Sequence, residues 1–373
     1  MADALNAAAP ATTASVGSDW TEARAVDVAA IERELESMLG RSDEPRGGVP
    51  TRARMSNLVV FATREGAEGG LNESLAEVAG RHPSRVLLLV ADPDLGEAPQ
   101  AWVSALCRGG DGGRRICSEQ VSIRAGGDGV RRLPSVVRPL LVGDLPTALW
   151  WAVPTPPTFS GEIFHELAEM AQRVLWDSAD WADEANGLRS VGRWAEGVDS
   201  RVGLGDLAWS RLGPWRASVA RALGPTATAV TKLRIAHGPH ALPKALLLAG
   251  WLADRLGWRR TGRGEIGPSS ARWTFDASGR PVTVEVVRVG EGPPSVLEVA
   301  FETTGAAAPR VAIRRGGDGR LEVDPPVPGG SLGPAPIGAP GELVARELPD
   351  LDGDPLFRSA LAAARGLSED VAG

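Results

Sequence analysis

Four stretches of this chain are nearly continuous in apolar residues: MSNLVVFA (55–62), RVLLLVADP (85–93), TALWWAV (147–153) and RVLWDSA (173–179). Runs of this kind predict strands, and the second, RVLLLVADP, is as continuous in apolar residues as central parallel strands are. Between them the spacing turns helical. Residues 27–39 put Ile31, Leu35, Met38 and Leu39 on one stripe, and 71–80 do the same with Leu71, Leu75 and Val78. Helices are also predicted over 130–142 and 161–172. One interruption has a different texture. WVSALCRG (102–109) and RRICSEQVSIRAG (114–126) alternate about a Gly/Asp loop, which predicts an inserted β-hairpin.

The second half repeats and then changes this pattern. SRLGPWRASVARALG (210–224) and ALPKALLLAGWLADRLGW (241–258) read as helices around a strand-like ATAVTKLRIAHG (227–238). From 271 to 324 short alternating segments predict an antiparallel meander, strands with one wet face. A Pro/Gly-rich loop (325–341) leads to two closing helices. The second opens on Asp354-Pro355, a favourable cap and first-turn pair, with Leu356, Ala360, Leu361 and Ala364 on one face. The fold class is therefore α/β: a helix-flanked, mostly parallel sheet with an inserted hairpin, then a second α+β part. Residues 1–26 read as a disordered tail, 27–160 as an amino-terminal α/β domain and 161–366 as a carboxy-terminal domain.

Charge narrows the function. A formal net charge of −7 argues against nucleic-acid binding, which needs a basic face. No apolar run approaches the roughly 18 residues that span a bilayer, and the amino terminus has no signal-peptide pattern. The expectation is a cytoplasmic protein. Twelve Trp and six Phe stand beside no Tyr, and tryptophan serves cores and interfaces alike.

Candidate chemistry is thin. GRGEIG (262–267) matches a dinucleotide fingerprint literally, but it follows a helix and precedes a strand, the reverse of the productive context. Arg255, Arg259, Arg260 and Arg263 surround it and offer an anion site or a solvated helix end. HELAE (165–169) lacks the second histidine of a zinc helix, and His237 and His240 have no third ligand nearby. Ser84 and Ser178 have no evident base, and Asp177, Asp180, Asp183 and Glu184 read as caps or solvated acids. No metal or cofactor is expected. Cys107 and Cys117 lie symmetrically about Gly112 and would face each other across the hairpin, as a redox pair or as two reduced thiols.

In order along the chain, SNLVVFA, HPSRVLLLVADP, the CRGG…RRICSEQVSI hairpin and LPSVVRPLLVGDLPTALWW resemble the OpcA family. So do ELAEMAQRVLWDSA, LGDLAWSRLGPWRASVA, ALLLAGWLADRLGW and ELVARELPDLDGDPLFRSALAAA. The resemblance covers roughly residues 27 to 366. It implies a protein that is not itself a dehydrogenase. Such a protein binds glucose-6-phosphate dehydrogenase, promotes its active oligomer and supports NADPH production through the oxidative pentose phosphate pathway. The family supplies no catalytic residues to carry over. Partner-binding candidates are then Asp144 and Pro146 of the DLP turn, Trp150 and Trp151 beyond it, and Trp209 and Trp215. Alternation sends Trp150 and Trp151 to opposite faces of a strand, so either both rings are core or one meets the partner. The competing expectation is an α/β protein or enzyme that takes a sugar phosphate or nucleotide at the carboxyl ends of its strands.

Overall fold

The computed structural model of the protein describes residues 24–25, 27–40, 50–52, 54–109, 115–304, 310–326, 334–335 and 338–372. The predicted tail at 1–26 therefore lies outside the described residues, apart from 24–25.

The first sheet begins with β1 (Arg24–Ala25), α1 (Val28–Gly40), β2 (Pro50–Arg52) and β3 (Ser56–Thr63). A crossover of α2 (Arg64–Gly66), a π turn (Ala67–Leu71) and α3 (Asn72–Arg81) leads to β4 (Ser84–Ala91). The predicted hairpin follows as β5 (Gln100–Gly109) and β6 (Arg115–Ala125). The helix expected over 130–142 is instead α4 (Leu133–Val137) between 3₁₀ turns, where Pro134 and Pro139 interrupt the amide ladder. Then come β7 (Thr147–Trp151), α5 (Glu162–Glu169), β8 (Arg173–Trp176), α6 (Glu184–Gly197) and β9 (Gly203–Asp206).

These strands lie in the order β1-β5-β6-β4-β3-β7-β8-β9, with β2 beside β6, and from β6 to β9 all pairs are parallel. Taken in chain order, the six parallel strands stand third-second-first-fourth-fifth-sixth, the doubly wound arrangement of nucleotide-binding sheets. The strand GLGD of β9 carries no apolar signal. A side chain at Gly203 would sit 2.2 Å from the Leu351 carbonyl, so only glycine admits that close approach.

Both faces of this sheet are dry. Val59, Phe61, Leu87, Leu89, Leu149, Trp151 and Trp176 point to one core, and Leu58, Val60, Val86, Leu88, Ala148 and Trp150 to the other. The second face is covered by α3 and by α10 (Pro340–Glu347), which returns from far along the sequence with Leu343, Val344 and Leu348.

After α7 (Leu207–Arg211) and α8 (Gly213–Leu223) the second sheet starts at β10 (Val230–His237). It is followed by α9 (Leu242–Arg255), then β11 (Arg259–Arg260), β12 (Glu265–Ile266), β13 (Ser270–Asp276), β14 (Pro281–Arg288), β15 (Val296–Thr303), β16 (Arg310–Arg315) and β17 (Leu321–Asp324). The antiparallel segments predicted over 271–324 are present, but β10 wedges between β14 and β15, parallel to the first and antiparallel to the second. The sequence suggests a division near residue 160; the first sheet runs on to Asp206. Helix α11 (Pro355–Val371) packs between α6 and α9. The backbones of α9 and α11 meet at Gly250, where a Cβ would come within 2.7 Å of the Ala360 carbonyl.

Candidate functional site at the carboxyl edge of the parallel sheet

In doubly wound sheets the ligand crevice opens at the carboxyl ends of the strands, where the winding direction reverses. Here that point lies between β3 and β7. The turn after β3 reads Thr63-Arg64-Glu65-Gly66-Ala67-Glu68-Gly69, with glycine at the second and third of the three positions of a phosphate-binding fingerprint and Arg64 at the first. Its helix is already capped, for Gly66 N–H donates to Thr63 Oγ1 at 3.3 Å. A Cβ at Gly66 would lie 3.6 Å from the Ala152 carbonyl beyond β7, an ordinary van der Waals contact.

Arg64 dominates the charge of this turn. Its guanidinium binds Asp94 and lies 3.7 Å from Asp92 Oδ1, both just past β4, while its Nε donates to Glu68 at 3.0 Å. Asp92 is buried and also accepts the Asp94 backbone N–H at 3.1 Å. Three carboxylates, Asp92, Asp94 and Glu68, thus stand beside the one guanidinium of this turn.

Farther along the same edge, Asp177 and Ser178 end β8 and Asp206 ends β9. Asp206 Oδ1 accepts the Ser178 N–H at 3.1 Å and the Ala208 N–H at 2.9 Å, and Oδ2 is buried without a hydrogen-bond partner. Burial and the nearby charge of Asp177 push this carboxyl up to about 6, against those hydrogen bonds. Asp177 caps the 3₁₀ turn at Ser178 and pairs with Arg211 at 2.8 Å. Asp183 caps α6. Among the described residues no group of three or more His, Cys, Asp or Glu is placed to hold a metal ion.

The residues singled out in the sequence do not gather at this edge. Asp144 and Pro146 lie in the turn at the opposite, amino end of β7, Asp144 exposed and Pro146 partly covered. Asn57 fixes that turn, its amide donating to the carbonyls of Val142 and Leu145 and accepting from Val142 N–H. Of the two readings left open for Trp150 and Trp151, burial of both rings is what the structure shows, one in each core. Trp151 stacks on Phe61 with ring centres 4.3 Å apart and meets Phe164 edge-on. Trp209 and Trp215 are also buried, and the Trp209 Nε1–H donates to Asp354 at 2.8 Å while Arg216 covers its ring.

Arg260 is engaged internally: it binds the Gly366 carbonyl and Asp370, so it holds α11 to β11. Arg259 pairs with Asp276 at 3.5 Å, and Arg255 is exposed at the end of α9. In GRGEIG, Gly264 N–H and Trp273 Nε1–H both donate to Asp370, a use of the loop unrelated to phosphate. The register sets Cys107 directly opposite Cys117; their side chains lie outside the described residues. The signals missed in the sequence are Arg64, Asp92 and Asp94, and the fully buried Asp206.

One feature of the carboxyl edge faces outward. The loop after β7 carries Pro154, Pro156 and Pro157, then Phe159, which is 49% exposed. A cavity of about 310 Å³ beside it is lined by Arg131, Phe159, Ile163, Glu162 and Glu166.

Comparison with known proteins settles the lineage. A model described as the glucose-6-phosphate dehydrogenase subunit N-terminal domain matches residues 75–193, and one described as that subunit's C-terminal domain matches 202–361. The chain belongs to the OpcA family. A relative named OxPP cycle protein OpcA in Nostoc punctiforme is 32% identical over 206 residues, covering 52% of this chain and 43% of that protein. Its namesake in Synechocystis is 28% identical over 190 residues, covering 48% and 38%. The chain thus spans about two-fifths of the length of these OpcA relatives. Among solved structures, a levoglucosan dehydrogenase complex with NADH and L-sorbose aligns at TM-score 0.47 and 13% identity over 85% of this chain and 97% of that one. A myo-inositol 2-dehydrogenase from Lactobacillus plantarum gives 0.44 and 10% over 84% and 97%. Among the described residues no helix is long and apolar enough to cross a membrane.

Proposed function

We propose that this OpcA-family chain is a non-catalytic subunit that binds glucose-6-phosphate dehydrogenase, promotes its active oligomer and so supports NADPH production in the oxidative pentose phosphate pathway of the cytoplasm. The observation that carries this is the succession of both subunit models, in chain order, along most of the sequence. The geometry is compatible with a scaffold. The large aromatic rings are spent on the interior, and the acids of the carboxyl edge cap turns or pair with arginines.

For the contact surface we assign the loop after β7. Phe159 is a large apolar group held outward on a short 3₁₀ turn that starts at Pro157. Glu162 and Glu166 lie one helical turn apart, and among the described residues no ion pair offsets them, so a basic, apolar-flanked segment of the dehydrogenase would complement them. The test mixes the purified chain with the dehydrogenase of the same cell. Mass and rate against glucose 6-phosphate are measured together. A joint species with altered kinetics is expected, weakened by Phe159→Ala. Separate masses and unchanged rates would reject the proposal.

A further inference from the structure

Two apolar features of the surface have opposite shape and opposite charge. One projects: Phe159, on its short turn before α5, stands among the exposed acids Glu162, Glu166 and Glu169. Their spacing puts the three carboxylates on one helix face, where like charges repel, and among the described residues none has an ion pair. The other feature is concave. Where α9 and α11 cross, Gly250, Ala253 and Ala362 leave space beside the two backbones, and a groove of about 310 Å³ results. Trp258 and Phe275 also line it, their ring centres 6.3 Å apart. Its polar lining is Asp254 and Arg260, and the Arg260 guanidinium is already engaged by the Gly366 carbonyl and Asp370. Arg255, Arg259 and Arg263, all exposed, are chain neighbours of these lining residues. Arg259 has a long pair with Asp276 at 3.5 Å, and among the described residues Arg255 and Arg263 have no ion pair.

We infer that the groove receives Phe159 of a second copy of this chain, so that copies associate head to tail. A cavity of about 150 Å³ already admits benzene, so about 310 Å³ has room for a phenyl ring. With the ring seated, the acids of α5 come to the arginine-rich mouth of the groove, where opposite charges steer and orient the approach. A second copy is the occupant because this chain itself carries both halves: the convex, acidic, aromatic one and the concave, basic, aromatic-lined one. The two surfaces differ, so the contact is heterologous and leaves each pair with one free loop and one free groove. A contact built on one ring and a few exposed charges is weak, with a dissociation constant on the order of 10–100 μM. The self-contact does not depend on the dehydrogenase. Its consequence does rest on the reading above: the loop assigned there would be shared, so self-association and dehydrogenase binding would exclude each other.

The test uses the full chain alone. Its mass in solution is measured from about 1 to 500 μM. Reversible growth of the mean mass with concentration is expected, and the association should weaken several-fold between about 50 and 500 mM salt. Two variants then separate the surfaces. Phe159→Ala removes the projecting ring, and Ala362→Trp fills the groove; both positions are exposed, so neither change empties a core. Each variant alone should remain monomeric. Mixed in equal amounts they should form a species of two chains and no larger, because one keeps its groove and the other its phenylalanine. That rescue also shows that both are folded. A parent chain that stays monomeric throughout overturns the inference, as does association that survives either substitution alone. So does a mixture that fails to pair while both variants keep the parent's near-ultraviolet circular dichroism.

Discussion

The two sheets of the molecule solve the burial problem differently. The first is dry on both faces, so β3 and β4 read as continuous apolar runs and the neighbouring tryptophans of β7 enter separate cores. The second is dry only toward α9. Its inner face carries Trp273, Phe275, Val284, Ile235, Val299 and Phe301, and its outer face carries an ion-pair ladder. There Arg272 pairs with Glu285, Lys232 also reaches Glu285, and Glu298 receives Arg234 and Arg314. Carboxyl groups in the two regions consequently shift in opposite directions. Burial raises Asp206 at the end of the first sheet, whereas Glu285 is lowered: partial burial acts against it, but the Arg272 hydrogen bond and the Lys232 charge prevail. An acid in this fold is tuned by whether its sheet face is covered.

The contrast can be tested at three levels of expected effect. Trp151→Ala removes a ring stacked in the larger core, and a loss of about 3–5 kcal/mol is expected in denaturant unfolding. A cost no greater than that of an outer-face change on the second sheet would erase the distinction. Asp206→Asn comes next. Its carboxyl rises from 3.8 to about 6 on folding, so its favourable contribution is complete below the lower value and lost as pH climbs through the higher. Asparagine keeps an acceptor for the Ser178 and Ala208 amides without the charge. It should therefore stabilise the chain by about 1–3 kcal/mol near neutral pH and give no gain in the acid range. A pH-independent difference between variant and parent would contradict the assignment. Glu298→Gln should cost least, under about 1 kcal/mol, and the cost should shrink at high salt because its partners are on an exposed face.

Much of this architecture was legible because covered strands leave an apolar signature. β3, β4, β7 and β8, the hairpin and α9 follow from pattern alone. Other features could not be read locally. β9 is nearly featureless because packing against the Leu351 carbonyl demands glycine. The insertion of β10 into the late sheet is a long-range pairing that alternation does not encode. Alternation correctly sends Trp150 and Trp151 to opposite faces, but whether each face is covered depends on α10, whose sequence lies nearly two hundred residues away. The crevice was missed for a related reason. Arg64, Asp92 and Asp94 are ordinary surface residue types in sequence, and only the return of the chain from β3 to β4 makes them neighbours. The literal glycine motif at 262–267 drew attention instead, although its context already ran the wrong way.

The late arrival of α10 and α11 has a consequence for how the chain is made. Strands β3 and β4 leave the ribosome long before residues 340–371, yet the second face of their sheet is finished only when Leu343, Val344 and Leu348 dock. At about 5–20 residues per second, that interval lasts on the order of tens of seconds. Throughout it the part of that face not covered by α3 lacks its partner. Quality control during translation, more than the finished stability of either sheet, would then decide how much functional protein a cell obtains.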